Sequence, residues 1–272
     1  MVEKMEYSMR AKRSLGQNFL VDGKYISKIV KAVHPEKDEA VIEIGPGRGA
    51  LTRELLNQGA MVLAIELDRE LVPKLRDDHG LTGRLIVVEA DASEADLREL
   101  LDQFYPGTPK AKLVANLPYY ISTAILQHLA IERHCLSELV LMFQREVVER
   151  ITARPGSSDR GYLTVLVEAA FAVERLFDVP PEAFRPRPKI WSSVVRLIPK
   201  AQSSADEDAF RRLVSTGFSQ KRKTLANNLK RIHPEAAVAL ADAGIDPKRR
   251  AETLELSEWL SLYTAFAVQP TP

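Results

Sequence analysis

Asn116-Leu117-Pro118-Tyr119 sets a side-chain amide, backbone carbonyls beside a proline and an aromatic ring within four residues. The amide oxygen and the carbonyls can accept both protons of an exocyclic amine while the ring stacks on the base that carries it. This grouping fits methylation of a base amine. Adenine N6 is a poor nucleophile because its lone pair is delocalised, and hydrogen bonds to its protons draw the nitrogen toward sp³ geometry. No strong general base is required, since the proton becomes acidic once the nitrogen is cationic. A plain Asn-Leu-Pro turn with a core tyrosine is the competing structural reading.

A second feature, Glu43-Ile44-Gly45-Pro46-Gly47-Arg48-Gly49, has glycines that let the backbone approach a ligand where Cβ atoms would block it. It departs from the dinucleotide fingerprint, because its third glycine comes two residues after the second instead of three. Glu66 follows about 20 residues on, placed to accept hydrogen bonds from ribose hydroxyls, and Asp91 is placed to take an adenine amine. With acid at both strand ends and no basic residue there for a 2′-phosphate, the pattern favours S-adenosylmethionine over a dinucleotide.

These residues need a scaffold, and the periodicity supplies one. Residues 40–44, 61–66, 84–89, 112–115 and 138–143 read as strands, and 51–58, 69–77, 95–104 and 123–131 as helices, giving a βαβ succession. The expected fold is α/β, Rossmann-like, with a mostly parallel doubly wound sheet. After a helix near 145–153, residues 162–171 and 192–198 read as two last strands. Beyond 208, short amphipathic patterns at 210–218, 225–231, 236–243 and 256–267 predict a small α-helical domain. The expected division is 1–200, with a basic N-terminal arm, and 201–272.

Composition is ordinary for a globular chain, and no run approaches the ~18 apolar residues of a membrane span. A soluble, cytoplasmic protein is expected. The single cysteine, Cys135, and the absence of close-spaced histidines predict no metal. Net charge is only +1, but residues 1–31 carry +4, residues 32–182 carry −9 and residues 183–272 carry +6. Basic ends around an acidic middle fit a catalytic core held against a polyanion.

Four motifs in order resemble those of the ribosomal RNA adenine N6-dimethyltransferases: Gly16-Gln17-Asn18-Phe19-Leu20, Glu43 to Gly47 with Leu51-Thr52, Asn116 to Tyr120, and Phe184-Arg185-Pro186-Arg187-Pro188-Lys189 with Ser192 or Ser193. The resemblance, from about residue 10 to 260, is strongest to the small-subunit branch. It implies a class I methyltransferase fold and dimethylation of two adjacent adenosines near the 3′ end of 16S rRNA, during ribosome biogenesis, with S-adenosylmethionine. It also implies site roles. Gln17, Asn18 and Leu20 would line the donor's methionine side, Gly45 and Gly47 its carboxyl and ribose side, Glu66 and Leu67 the ribose, and Asp91 and Ala92 the adenine. Asn116 would touch donor and target, Leu117 and Pro118 would hold the amine, and Phe184 would face Tyr119 across a flipped adenine.

Lys12, Arg13, Arg185, Arg187, Lys189, Lys221, Arg222, Lys223, Arg249 and Arg250 would contact RNA, with solvated charge as the alternative reading. Ala226 stands where family members often have a basic residue, which predicts one phosphate contact fewer. The partner would be the small-subunit rRNA of a 30S precursor, bound by a monomer. Competing expectations are a large-subunit adenine methyltransferase of the macrolide-resistance type, a non-catalytic assembly factor and, more remotely, an NAD-dependent oxidoreductase.

Overall fold

The computed structural model describes residues 17–79, 83–118, 121–201 and 206–268. Tyr119, Lys12 and Arg13 therefore lie outside the described residues. In chain order the first elements are β1 (Phe19–Leu20), α1 (Gly23–Val33), β2 (Ala40–Ile44), α2 (Ala50–Asn57), β3 (Met61–Glu66), α3 (Leu71–His79), β4 (Leu85–Glu89), α4 (Leu97–Phe104), β5 (Ala111–Asn116), α5 (Ser122–Glu132) and β6 (Leu136–Gln144). They are followed by α6 (Arg145–Ile151), α7 (Tyr162–Ala170), β7 (Phe171–Val179), β8 (Phe184–Arg185) and β9 (Ser192–Pro199). The last four helices are α8 (Glu207–Gly217), α9 (Leu225–Leu229), α10 (Ala236–Asp242) and α11 (Leu256–Val268).

Seven strands form one sheet in the order β4-β3-β2-β5-β6-β9-β7. The β4-β3-β2-β5-β6 run is parallel, and β9 is antiparallel to β6. The central strands are apolar because helices cover both faces of such a sheet: all five residues of β2 are buried. Strand order reverses between β2 and β5, so the crevice at their carboxyl ends is where an open sheet of this kind binds ligands. Register sharpens that placement. Ile44 pairs with Ile65 on one side and with Ala115 on the other. The next residues, Gly45, Glu66 and Asn116, therefore leave the sheet at one level, with Glu66 and Asn116 two strand spacings, about 10 Å, apart.

Among the described residues, the chain to Val148 together with Ala172–Pro199 makes one compact unit, and Glu149–Phe171 with the chain from Lys200 makes a second. The boundary differs from the division at 200 because α7 belongs to the second unit. Residues 162–171, expected as a strand, are helical to Ala170 and bury Leu163, Thr164, Val165, Leu166, Val167 and Ala170. Val165 packs in a core with Leu213, Leu225, Leu229 and Trp259. A helix buried nearly all round has no amphipathic stripe, and its β-branched residues then imitate a strand. The Gly161 N–H donates to Thr164 Oγ1 (3.0 Å), which in turn donates to the Arg150 carbonyl (2.8 Å), securing the helix start.

The strand that ends the sheet is instead β7, which went unpredicted because Glu174, Arg175 and Asp178 interrupt its apolar pattern. Charge on an edge strand discourages pairing with another chain. Helix α1 was also missed inside the basic N-terminal region. Asp22 caps it by accepting from the Lys24 N–H, and Ile26, Ile29, Val30 and Val33 form its buried stripe.

Candidate active site

A cleft opens at the carboxyl ends of β2, β3, β4 and β5, where an open α/β sheet binds its ligands. Gln17, Asn18, Gly45, Gly47, Glu66, Leu67, Asp91, Ala92, Asn116, Leu117 and Pro118 all line it. Phe19, Ile44, Ile65, Ile121 and Ile125 add apolar walls that the sequence reading did not single out. Phe19 and Ile44 stand inside two of the motifs, and the other three lie beside a motif or one helical turn after it.

The glycine loop is held from three sides. Gly45 and Gly47 have φ of 66° and 60°, in the left-handed region that side chains rarely adopt. The Gly45 N–H donates to the Ile65 carbonyl (2.9 Å), and the Gly47 N–H donates to Glu66 Oε2 (3.0 Å). A Cβ at Gly47 would lie 3.0 Å from Phe19 Cδ1, so the ring closes over the loop, and Arg48 stacks its guanidinium 4.5 Å from that ring's centre.

Glu66 also accepts from the Asp68 N–H at Oε1 (2.9 Å), and the Leu67 N–H adds a further backbone donor to the same carboxylate. Burial raises its pKa above the ordinary carboxylate value, against the lowering effect of these backbone donors. Asp91 accepts from Ser93 N–H and Ser93 Oγ at Oδ1, and among the described residues no donor takes Oδ2. Gln17 Nε2 donates to Asp68 Oδ2 (2.9 Å), tying the incoming chain to the residues after β3. Asp68 is a functional neighbour the sequence reading overlooked, because only the folded chain brings it to Gln17.

Asn116 Nδ2 donates to the Asn18 carbonyl (3.2 Å). This bond fixes the amide so that Oδ1 is the atom left to accept. The Pro118 carbonyl takes the Ile121 N–H (3.3 Å), and no partner for the Leu117 carbonyl occurs among the described residues. Behind the loop, Glu43 is fully buried and accepts from Thr52 Oγ1 (2.6 Å); burial pushes its pKa up to about 7.

Phe184 and Leu20 depart from expectation. They pair in the two-residue ladder between β1 and β8, which turns both inward: Phe184 is 0% exposed and Leu20 4%, in the core with Ile26, Val30 and Val179. Phe184 does not line the cleft, whereas Leu20 lines the pocket beside it, which shares Phe19, Gly45, Gly47 and Asn116 with the cleft.

Arg185, Arg187 and Lys189 are exposed, with Arg187 paired to Glu182. In the second unit, Lys221, Arg222, Lys223 and Arg250 are exposed, and Lys221 Nζ donates to the Ser158 carbonyl (2.6 Å). Arg249 is different. It grips Glu258 with both Nη atoms (2.5 and 3.0 Å) and donates to Thr253 Oγ1 and carbonyl, so it closes a turn. Ala226 is buried in that unit's core, where a missing phosphate contact has no place. One cluster with metal-ligand chemistry occurs among the described residues, Glu132, His134 and Cys135, at the opposite end of β6 from the cleft.

Residues 8–268 match the family model described as ribosomal RNA adenine dimethylase. The chain belongs to the ribosomal RNA adenine dimethylase family. It is 44% identical over 262 residues to ribosomal RNA small subunit methyltransferase A of Geobacter sulfurreducens, covering 93% of this chain and 94% of that one. The namesake protein of Geobacillus thermodenitrificans is 38% identical over 269 residues, covering 95% and 92%. Among solved structures, a dimethyladenosine transferase from Plasmodium falciparum superposes with a TM-score of 0.77 at 28% identity, covering 92% and 98%. The 23S rRNA methyltransferase ErmE superposes at 0.66 and 27%, covering 92% and 100%. This dimethylase is therefore an rRNA adenine methyltransferase with the class I fold, and its cleft must admit a methyl donor. The cradle at Gly47, which a Cβ would fill, and the acids at two strand ends fit a donor that carries an adenosine.

Proposed function

We propose that the enzyme dimethylates N6 of two adjacent adenosines near the 3′ end of small-subunit (16S) rRNA, in a 30S precursor, with S-adenosyl-L-methionine as donor. The observation that carries this reading is the Asn116 amide, oriented by the Asn18 carbonyl at the end of β5, beside Glu66 and Asp91. When bound, S-adenosylmethionine supplies a methyl group activated by its sulfonium. Glu66 would accept from the ribose hydroxyls and Asp91 from the adenine amine. Leu67 and Ala92 flank that adenosine, and Gly45 and Gly47 allow backbone contact.

Asn116 Oδ1 and the Leu117 carbonyl accept the two N6 protons of the target, which aims the nitrogen lone pair into the cleft. Pro118 holds the turn that presents them, and Tyr119 stacks on the base. The N6 proton, made acidic once the nitrogen has become cationic, passes to solvent water. The basic side chains Lys221, Arg222 and Lys223, with Arg185, Arg187, Lys189, Lys12 and Arg13, take RNA phosphates.

Transfer of labelled methyl to unmodified small and large ribosomal subunits, with the product nucleoside mapped, tests the reading. Dimethyladenosine at adjacent small-subunit positions is expected. Label in the large subunit would overturn the substrate, and no label with donor binding intact would point to an assembly role.

A further inference from the structure

Between β8 and β9 the chain runs Pro186-Arg187-Pro188-Lys189-Ile190-Trp191, and its last two residues are exposed large hydrophobics: Ile190 is 39% and Trp191 47% exposed. Among the described residues Trp191 is the one aromatic side chain in the set of exposed large hydrophobics, and its ring is the largest apolar side chain a protein can present. Trp191 immediately precedes β9, whose Val194 pairs with Met142 of β6, which in turn pairs with Asn116 of β5. Because β9 runs antiparallel to β6, stepping back from Val194 to Trp191 moves toward the same carboxyl edge that carries Asn116. Two strand spacings across and three residues along put the two Cα atoms about 14 Å apart.

The segment is also held firmly and charged. The Arg145 N–H donates to the Trp191 carbonyl (3.0 Å), and two prolines stiffen the approach. Arg185, Arg187 and Lys189 make it basic, and Lys189 is exposed. An exposed aromatic ring set in basic chain is the chemistry that holds unpaired nucleotides: the ring stacks on a base and the cations meet the phosphates.

We propose that Trp191 is a stacking platform for an unpaired base of the RNA substrate, a few nucleotides from the adenosine at Asn116. Resting on the proposed function, it extends that reading with a positioning residue outside the cleft. Stacking is sequence-tolerant, so the platform sets register and affinity and takes no part in chemistry.

The chain carries a built-in reporter. It has two tryptophans, and the other, Trp259, is wholly buried. A short unstructured RNA oligonucleotide with two adjacent adenosines should quench the Trp191 emission of the parent enzyme. Trp191→Ala should weaken oligonucleotide binding about 5- to 100-fold and raise KM for unmodified small subunits comparably, with kcat, donor affinity and thermal unfolding unchanged. Trp191→Phe keeps a ring and should restore binding to within a few-fold. Parent emission blind to saturating oligonucleotide, or Trp191→Ala binding as well as the parent, overturns the platform. A raised KM on whole subunits with unchanged oligonucleotide binding also overturns it, in favour of a protein contact. Methylation of large subunits by the parent would instead remove the proposed substrate and leave the oligonucleotide result to judge Trp191.

Discussion

At the scale of single residues, the cleft depends on orientation more than on composition. Asn116 is useful because the Asn18 carbonyl takes its N–H and leaves the oxygen for the amine. Asn116→Ala should therefore lower kcat by on the order of a hundred-fold or more, the range for removing one preorganised hydrogen-bonding group, while thermal unfolding stays near the parent's. Parent-like single-turnover methyl transfer would dismiss the role. Glu43 makes a different prediction. Folded, it keeps its proton to about pH 7; unfolded, it releases it near the ordinary carboxylate value of 4.5. Between those values folding takes up a proton, so this carboxyl's contribution to stability falls as pH rises through that window. Glu43→Gln keeps an acceptor for Thr52 Oγ1 without titrating. Its stability relative to the parent should grow between pH 5 and pH 8 by up to about 3 kcal/mol in urea unfolding. A pH-independent difference would mean that Glu43 is ionised in the fold. Asn116, Glu66 and Asp91 were legible in sequence because each is polar at the end of an apolar run. Phe184 and Asp68 were not, since the inward turn of one and the Gln17 contact of the other arise from chain segments far apart in sequence.

Elements follow the same logic. Strands β2 and β3 could be read because both their faces are buried, which leaves short apolar runs with turn residues at the ends. Helix α7 and strand β7 could not, because a fully buried helix and a charged edge strand each lack the periodicity that distinguishes them. In the second unit, packing between α8 and α11 decides another sign. Replacing a helical glycine by alanine ordinarily stabilises by about 0.5–1 kcal/mol. At Gly217, however, a Cβ would come 2.5 Å from Trp259 Cη2 and 3.1 Å from Leu225 Cδ1. Trp259 is 0% exposed and stacked on Phe218, with ring centres 5.6 Å apart, so it has no room to yield. Overpacking of this kind costs about 1–3 kcal/mol. Gly217→Ala should destabilise the second unit, lowering its unfolding midpoint with a red-shifted Trp259 emission; a raised midpoint would show that the indole can shift.

Over the whole molecule, charge is sorted along the chain: residues 32–182 carry −9 and residues 183–272 carry +6. Exposed basic side chains contribute to polyanion binding through release of counterions, and each phosphate neutralised adds about 0.7 to 0.9 to the slope of log affinity against log salt. Lys221, Arg222 and Lys223 are consecutive and exposed at the turn between α8 and α9. Replacing all three with glutamine should reduce the slope for small-subunit RNA by about two to three while leaving the unfolding midpoint nearly unchanged. Arg249 is the internal control, since net charge alone does not separate it from those three. Its guanidinium is spent on Glu258 and Thr253, and the pair holds Glu258 below and Arg249 above their ordinary pKa values. Arg249→Gln should lower stability by about 1 kcal/mol, as expected for a half-exposed bidentate pair, with little change in salt slope. If Arg249→Gln instead flattened the slope and spared stability, the ion pair would open on binding and the arginine would belong to the RNA surface. If the triple variant left the slope unchanged, its three charges would be solvated face, and the polyanion would be held elsewhere on the chain.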